Sequence, residues 1–352
     1  MQLKSIERID FLDGLRGVAI ILVVLYHTYS NAWIDLVPFF APSHNFPLVK
    51  FGDLGVPLFF LISGFVITMS LERCKTFSEF IFKRWLRLFP AMLIATALIL
   101  LTASFFSFRP LGEVRLISAI SGLTFISPGF FDWIFRKDQG MLEGGFWSLF
   151  VEVKFYIVAG LIYFKYGQKK MIYALLIMFL IYTAFDISKT QLSPELALSL
   201  NAILGSLDFK YCGWFASGAF FYRYFINKDM TSFALGLFVA LLSARNWGGL
   251  MSSTMIAFAV IIGVFATAMF SKQLQRFLSN KLLRFFGYIS YPLYLIHENA
   301  TISMIMQLYQ RFNEVNPYVL SIIPLAIMTL IAWIMAKYLE PQLKNWLKTK
   351  LS

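Results

Sequence analysis

Two ionisable residues in the first long apolar segment have a spacing that suits acid–base chemistry. Arg16 and His27 are eleven residues apart, which places them on one helical face, roughly 16 Å apart along the axis. Ionisable side chains in apolar segments usually face a cavity or one another. Imidazole is the commonest general base, so His27 is a candidate base, and Asp13 could orient it or balance its charge. For each residue taken alone, a purely structural role stays open: Arg16 as an arginine that snorkels to the membrane surface, and His27 as a histidine hydrogen-bonded to a neighbouring helix.

A second polar face is predicted in the segment GGFWSLFVEVKFYIVAGLIY. Ser148, Glu152 and Tyr156 recur every four residues and therefore line one face of a helix. Glu152 lies about a turn and a half inside the predicted outer edge, near the depth of His27. A carboxylate close to an imidazole would orient it and stabilise its charged form. If Glu152 did not lie at the same predicted depth as His27, it would be assigned to helix packing or to an ion pathway.

A basic cluster precedes the third apolar segment. Arg84 and Arg87 are three residues apart and are neighbours on one helical face, with Lys83 beside them. Arginine forks match phosphate oxygens, so the cluster is a candidate phosphate site at a membrane entrance. The alternative is an anchor that only fixes topology by the positive-inside rule.

The ninth apolar segment places Tyr288, Tyr291, Tyr294 and His297 at intervals of three. Aromatic residues at this spacing belong more often to a core or an interfacial belt than to a ligand site. No metal site is predicted, because the three histidines lack the i, i+4 pair or cysteine cluster that zinc usually shows. The candidates for lining a substrate path are Trp147, Ser148, Tyr156, Tyr291 and His297.

The composition identifies the environment of these residues. Of 352 residues, 59% are hydrophobic and 14% are charged, whereas a soluble domain has about 25% charged residues. This excludes a soluble surface and a disordered chain, and two cysteines exclude a disulfide scaffold. The net charge of +12 comes from lysines and arginines in short loops, a pattern of membrane topology rather than of nucleic-acid binding.

The predicted fold is an all-α polytopic bundle with about ten transmembrane spans and both termini in the cytoplasm. A span needs about 20 apolar residues. We expect a single domain over 1–352, in which 109–146 forms an external or re-entrant segment, because an eleventh crossing at 113–131 would put several basic loops outside. The ten spans are predicted at 12–32, 52–71, 88–108, 147–166, 171–188, 209–227, 231–246, 252–271, 286–309 and 319–338.

Six short motifs occur in a fixed order along the chain. They are R-x10-H (16–27), GVPLFFLISGF (55–65), R-x-x-R-L-x-P (84–90), WSLxxExxFY (147–156), YISYPLYLIH (288–297) and LEP (339–341). Together they resemble acyltransferase family 3 membrane proteins, from about residue 8 to 341. The resemblance implies O-acylation, most often O-acetylation, of bacterial surface glycans such as lipopolysaccharide O-antigen or exopolysaccharide. It also implies acetyl-CoA, or another acyl-CoA, as the cytoplasmic donor.

The resemblance also implies roles for the candidate residues. His27 would be the base, Glu152 or Asp13 would orient it, and Arg16 would line the donor path. The family motif R-x-x-R implies that Arg84 and Arg87, with Lys83, hold the coenzyme A phosphates. Because the chain ends at Ser352, we expect the stand-alone type without an SGNH hydrolase-like domain.

The expected location is the bacterial inner membrane, as a multi-pass protein. The expected partners are the lipid bilayer and a surface or lipid-linked glycan, not nucleic acid, and the sequence does not determine an oligomeric state. A secondary transporter or flippase is the rival interpretation, since intramembrane charges suit transporters. Against it, the chain has no evident inverted repeat and no matching pair of broken helices.

Overall fold

A computed structural model describes residues 9–136, 140–248 and 252–351 of the chain. These residues form α-helices joined by short 3-10 turns and loops, and no strand occurs among them. The α-helices are α1 Asp10–Tyr29, α2 Pro47–Lys50, α3 Gly55–Leu71, α4 Phe77–Thr102, α5 Ser118–Thr124, α6 Pro128–Phe135, α7 Phe146–Tyr166, α8 Gln168–Ser188, α9 Pro194–Ser206, α10 Cys212–Asn227, α11 Met230–Gly248, α12 Ser252–Ala268, α13 Lys272–Leu278, α14 Lys281–Arg311, α15 Pro317–Ile334 and α16 Glu340–Leu351.

Several of these helices can cross a membrane. Within the described residues, six are long and apolar enough, or seven if the bent pair Ser253–Ala268 and Lys272–Leu278, which meet at 109°, is counted as one span. Each of the ten predicted segments overlaps an α-helix. The all-α, polytopic fold is therefore confirmed, whereas ten crossings and cytoplasmic termini stay predictions.

The segment 109–146 contains two short helices, α5 and α6. They have seven and eight residues, which makes each about 10–12 Å long at 1.5 Å per residue. A bilayer core is about 30 Å thick. Neither helix is long enough to cross it.

The residues pack into two compact units, each assembled from stretches that are distant in sequence. Of the described residues, unit 1 contains those in 9–55, 83–150 and 279–351, and unit 2 contains those in 56–82 and 151–278. Helices α4 and α7 each contribute residues to both units. The single domain expected over 1–352 stays a prediction.

Helices α1 and α14 of unit 1 run in the same direction. Near their amino-terminal ends Asp10 pairs with Arg284 at 3.1 Å, and towards their carboxyl ends His27 lies 2.9 Å from His297. Parallel spans must both be odd or both be even in order along the chain. The predicted numbering satisfies this, since these helices contain the first and ninth spans.

Helices α4 and α15 complete this side-by-side arrangement in unit 1. The hydroxyl of Tyr291 donates to the carbonyl of Leu88 in α4 at 3.0 Å, and Gln307, later on α14, donates to the carbonyl of Phe105, just after α4, at 2.7 Å. Helices α4 and α14 therefore run in the same direction. Helix α15 runs the opposite way, because Tyr288 near the start of α14 donates to the carbonyl of Ala336 at 2.8 Å. The chain directions in unit 1 therefore agree with the predicted alternation of spans.

Glycines allow α1 and α14 to approach backbone to backbone. A Cβ added at Gly17 would collide with the carbonyl of Leu283, and one added at Gly287 would collide with the carbonyl of Asp13. Small residues at such positions are the usual device for close packing of membrane helices. We therefore expect these positions to tolerate no side chain without a shift of the helices.

Gly287→Ala is expected to lower the free energy of unfolding by about 1–3 kcal/mol, the typical effect of overpacking. The measurement is thermal unfolding of the purified chain in detergent. Gly263→Ala in α12 is the matched control, since a Cβ there meets no described atom within 4 Å. Equal unfolding temperatures for the two variants would contradict the close approach.

Unit 2 is built on a second close pair, α3 and α10. A Cβ at Gly64 would collide with the carbonyl of Phe215, and one at Gly218 would collide with that of Leu61. At the end of α3 the carboxylate of Glu72 accepts hydrogen bonds from other helices of the unit, including one from Gln168 at 2.7 Å. Helices α3 and α10 of unit 2 are thus closely packed, and the half-buried carboxylate of Glu72 links α3 to its neighbours at one end.

A π-turn joins α15 to α16. It covers Met335–Leu339 and is followed at once by Glu340. Such turns appear mostly as single-turn bulges within α-helices, frequently at functional sites. This one lies directly before the only acidic residue of the LEP motif.

Candidate active site

An imidazole pair facing a carboxylate lies towards the carboxyl end of α1 in unit 1. Nδ1 of His27 is 2.9 Å from Nε2 of His297, and Nε2 of His27 is 3.7 Å from Oε1 of Glu298. The side chain of His27 is 20% exposed, whereas that of Glu298 is 4% exposed. The ring of His27, the base predicted from the sequence, is therefore partly accessible, and its two polar partners, His297 and Glu298, are buried.

The loop before α7 closes over the Glu298 carboxylate. The backbone N–H of Gly145 donates to Oε2 of Glu298 at 3.2 Å, and a Cβ at Gly144 would lie 2.6 Å from that carboxylate. Ser148 donates to the carbonyl of Gly145 at 3.1 Å and accepts from the hydroxyl of Tyr294, 2.8 Å away. Glycine is favoured at 144 because a side chain there would displace the carboxylate of Glu298, and a Cβ at Gly145 would crowd the ring of Tyr294 at 3.1 Å.

Asn299 fastens the same loop from the next position on α14. Its amide nitrogen donates to Oε2 of Glu143 at 2.7 Å and to the carbonyl of Leu142 at 3.2 Å. Its amide oxygen accepts from the backbone N–H of Leu111 at 3.0 Å. The guanidinium of Arg109 donates to the same Leu142 carbonyl at 3.0 Å. The loop over Glu298 is therefore held by several hydrogen bonds from Asn299 and Arg109.

Glu143 is the buried acid of this network. Its Oε1 atom has no hydrogen-bond partner among the described residues. Burial, followed by the negative charge of Glu298, raises the pKa of Glu143 from an ordinary 4.5 to about 8. A protonated carboxyl is therefore expected at this position at neutral pH.

The raised pKa of Glu143 makes stability depend on pH. Between about pH 4.5 and 8 the unfolded chain releases this proton while the folded chain keeps it, so the free energy of unfolding falls as pH rises. Each pH unit in this window contributes up to about 1.4 kcal/mol. Unfolding of wild type and of Glu143→Gln is measured at pH 5, 6, 7 and 8. The variant is expected to give the flatter profile, and parallel profiles would contradict the assignment.

The basic cluster lies towards the amino-terminal half of α14 in the same unit. Arg87 pairs with Glu340 at 3.2 Å and lies 5.9 Å over the ring of Tyr291. The Nε atom of Arg84 is buried and has no hydrogen-bond partner in the described part of the chain, while Lys83 is exposed. Arg87 thus already has one acidic partner, whereas the Nε–H of Arg84 has none among the described residues.

The two groups of side chains are arranged along one helix. Tyr291, beside Arg87, and His297, beside His27, are six residues apart on α14, which corresponds to about 9 Å along the axis. Arg16 lies half-buried on α1, eleven residues before His27. Unit 1 therefore carries the predicted imidazole, on α1, and the predicted arginines, on α4, at different levels along α14.

Glu152 belongs to unit 2. Its Oε1 accepts hydrogen bonds from Ser63 on α3 and from Tyr156, the latter at 2.6 Å, one turn later on α7. Ser63 lies in the motif GVPLFFLISGF, so this hydrogen bond joins two of the six sequence motifs. The role of Glu152 towards His27 stays a prediction, and so do the roles of Asp13, half-buried on α1, and Trp147, half-buried in the first turn of α7.

Sequence analysis did not assign a role to Glu298, Glu143 or Glu340. The signal for Glu298 was present in the run His-Glu-Asn (297–299), three consecutive polar side chains in the buried part of α14. The tyrosines and His297 recur at intervals of three and share one helical face. Glu298 lies about 100° away from His297 around the helix, so this periodicity does not group it with them.

Membrane-length helices that carry an imidazole pair, a buried carboxylate and an arginine cluster define a membrane-embedded helical enzyme. A family model described as an acyltransferase domain matches residues 9–338. The chain therefore belongs to acyltransferase family 3, and the resemblance found in the six motifs is confirmed.

The chain is similar to several curated O-acetyltransferases. It is 28% identical over 167 residues to the peptidoglycan O-acetyltransferase OatA of Listeria monocytogenes, covering 44% of this chain and 24% of that protein. It is 25% identical over 358 residues to the O-acetyltransferase OatA of Staphylococcus aureus, covering 92% of this chain and 55% of that protein. A putative peptidoglycan O-acetyltransferase of Bacillus subtilis, YrhL, is 31% identical over 42% of this chain and 22% of its own length.

The matched region is about half of the Staphylococcus aureus protein's length and a smaller part of the other two. No solved structure gives a significant match to this chain.

Proposed function

We propose that this protein is a membrane O-acetyltransferase that moves an acetyl group from acetyl-CoA to a hydroxyl of a cell-envelope glycan. The observation that carries the proposal is the His27 ring, which presents one nitrogen towards Glu298 within an acyltransferase-family chain. Membership of an acyltransferase family favours an enzyme over a transporter. The proposed location is the bacterial inner membrane.

In the proposed reaction His27 acts as general base on the acceptor hydroxyl. The hydroxyl oxygen forms a bond to the acetyl carbonyl carbon, and the carbon–sulfur bond of the thioester breaks. The hydroxyl proton passes to Nε2 of His27 and then to the departing sulfur, which leaves as the thiol of coenzyme A. Glu298, 3.7 Å from Nε2, balances the charge of the ring while it holds the proton.

The arginine cluster supports a phosphate-bearing donor. The buried, unpartnered Nε of Arg84 is a donor that an anion would satisfy, and buried polar groups are rarely left unpaired. Arg87 already has Glu340 as a partner. We therefore assign the main contact with the coenzyme A phosphates to Arg84, and the supporting charge to Arg87 and Lys83.

The acceptor is proposed as a class, a hydroxyl-bearing glycan on the outer side of the membrane, free or lipid-linked. Two of the similar proteins carry the word peptidoglycan in their names, and the sequence motifs suggested O-antigen or exopolysaccharide. These acceptors share the same chemistry, an alcohol that becomes an ester.

The test is transfer of labelled acetyl by the reconstituted chain. Proteoliposomes receive radiolabelled acetyl-CoA on one side and muropeptides, O-antigen or exopolysaccharide on the other. Label that moves to one glycan and is released by mild alkali is the expected result. Export of unmodified glycan without label would support the transporter instead.

Arg84→Gln is expected to raise the apparent KM for acetyl-CoA roughly 10- to 100-fold, because a hydrogen bond to a charged group contributes about 1.5–3 kcal/mol. The kcat should change little, since the contact is made before and after transfer. Arg276→Gln in unit 2 is the control, an exposed cation of a predicted cytoplasmic loop. Loss of the Arg84 variant from the membrane with normal KM in the remainder would favour the topology anchor.

A further inference from the structure

The hydrogen bonds of His297 determine where its proton lies. Its Nδ1 is 3.0 Å from the backbone carbonyl of Tyr294. A carbonyl oxygen can only accept a hydrogen bond, so Nδ1 of His297 carries the hydrogen. In the neutral ring the other nitrogen, Nε2, then has a lone pair and must accept.

This assignment fixes the proton on the neighbouring ring. Nε2 of His297 faces Nδ1 of His27 at 2.9 Å, and two lone pairs cannot form a hydrogen bond. Nδ1 of His27 is therefore the donor. The remaining nitrogen of His27, Nε2, is left unprotonated and points towards Glu298.

We infer that His297 is a positioning residue that holds His27 in the tautomer whose Nε2 is the free base. The inference rests on the proposed function, in which that nitrogen takes the acceptor's proton. In a Ser-His-Asp triad a carboxylate performs this task from the far side of the imidazole. Here a second imidazole performs it, and the carboxylate of Glu298 faces the basic nitrogen instead.

The arrangement also explains the 3.7 Å gap between Nε2 of His27 and Glu298. Before the reaction, Nε2 of His27 and Oε1 of Glu298 are both hydrogen-bond acceptors, so they do not form a hydrogen bond with each other. An acceptor hydroxyl placed between them has a proton to give to Nε2. Once Nε2 is protonated, the ring and the carboxylate become an ion pair.

The tautomer is measured directly by nitrogen NMR. The chain has three histidines, so the full-length protein labelled with 15N-histidine in lipid nanodiscs gives three ring systems. Each is assigned by its loss in His27→Ala, His44→Gln or His297→Gln. For wild-type His27 we expect a protonated Nδ1 and an unprotonated Nε2. A His27 ring protonated on Nε2 alone would overturn the inference.

The second measurement compares two variants of His297. His297→Gln keeps an oxygen that can accept from His27, whereas His297→Leu has no acceptor. We expect His297→Leu to lower kcat by on the order of 10²-fold, below the roughly 10⁴-fold that a wrong tautomer costs in a serine triad. The glutamine variant should retain most of kcat, and the His27 signals of the leucine variant should show both tautomers.

Failure of the inference is distinguishable from failure of the proposed function. If His297→Leu leaves the His27 tautomer and kcat unchanged, the positioning role is overturned while acetyl transfer stands. If wild type transfers no acetyl group to any glycan, the proposed function fails, whatever the tautomer. If the leucine variant does not fold, the wild-type NMR spectrum alone decides.

Discussion

Replacing His27 by alanine is expected to lower kcat for acetyl transfer by a factor of about 10²–10⁴, the usual contribution of a general base. The loss should fall on kcat rather than on the KM for acetyl-CoA, because the arginine cluster that we assign to the donor is untouched. The measurement is initial-rate transfer of labelled acetyl by purified protein in proteoliposomes.

The matched control for this substitution is His44→Ala. His44 lies in the 3-10 segment Pro38–Asn45, outside both groups of candidate residues in unit 1. The His27 variant must be present in the membrane at the level of wild type, as shown by immunoblot of membrane fractions. Near-normal kcat in a correctly inserted His27→Ala protein would remove the imidazole from the mechanism.

Glu298→Gln is expected to lower kcat roughly 10- to 100-fold, the effect of removing a charged partner worth about 1.5–3 kcal/mol. The amide has no charge with which to balance the protonated His27 ring. Its NH₂ group could also donate to Nε2 and occupy the lone pair that acts as base. The side-chain oxygen can still accept from the N–H of Gly145, so the loop should stay in place.

The control for Glu298→Gln is Glu314→Gln, an exposed glutamate in the connection between α14 and α15. It removes the same charge from the same unit without touching the imidazoles. A Glu298 variant with unchanged kcat would show that the carboxylate only supports the loop of Gly144 and Gly145. Thermal unfolding of both variants separates that structural effect from catalysis.

The helical, membrane-spanning class and the family could be predicted from the sequence, because long apolar stretches are readable from composition and the six motifs lie in short, recognisable runs. The placement of Arg16 and His27 on one helical face could be predicted too, since it depends only on helical geometry within the single helix α1. The structure starts α4 at Phe77, well before the predicted span at 88, because a helix continues through polar residues beyond the apolar core.

The partners of these residues could not be predicted in the same way. Glu298 meets His27 because α1 and α14 pack through Gly17 and Gly287, and a single sequence does not specify which helices pair. The hydrogen bonds of Asn299 reach residues of the segment 109–146, whose sequence has little helical periodicity from which contacts could be predicted. Helical periodicity gives the face of a residue on its own helix, whereas the partner comes from tertiary packing.

The π-turn at Met335–Leu339 has a consequence for the evolution of the arginine cluster. A π-turn takes up about one residue more than an α-turn of the same rise, and each residue rotates the chain by about 100°. Because the wide turn absorbs this extra residue, excising a single amino acid from it would restore regular winding and leave the Glu340 carboxylate facing Arg87. An insertion or deletion in the regular part of α15 would instead rotate Glu340 by about 100° and break this ion pair, so the π-turn is the one place near the end of α15 where a change of chain length preserves the Arg87–Glu340 contact.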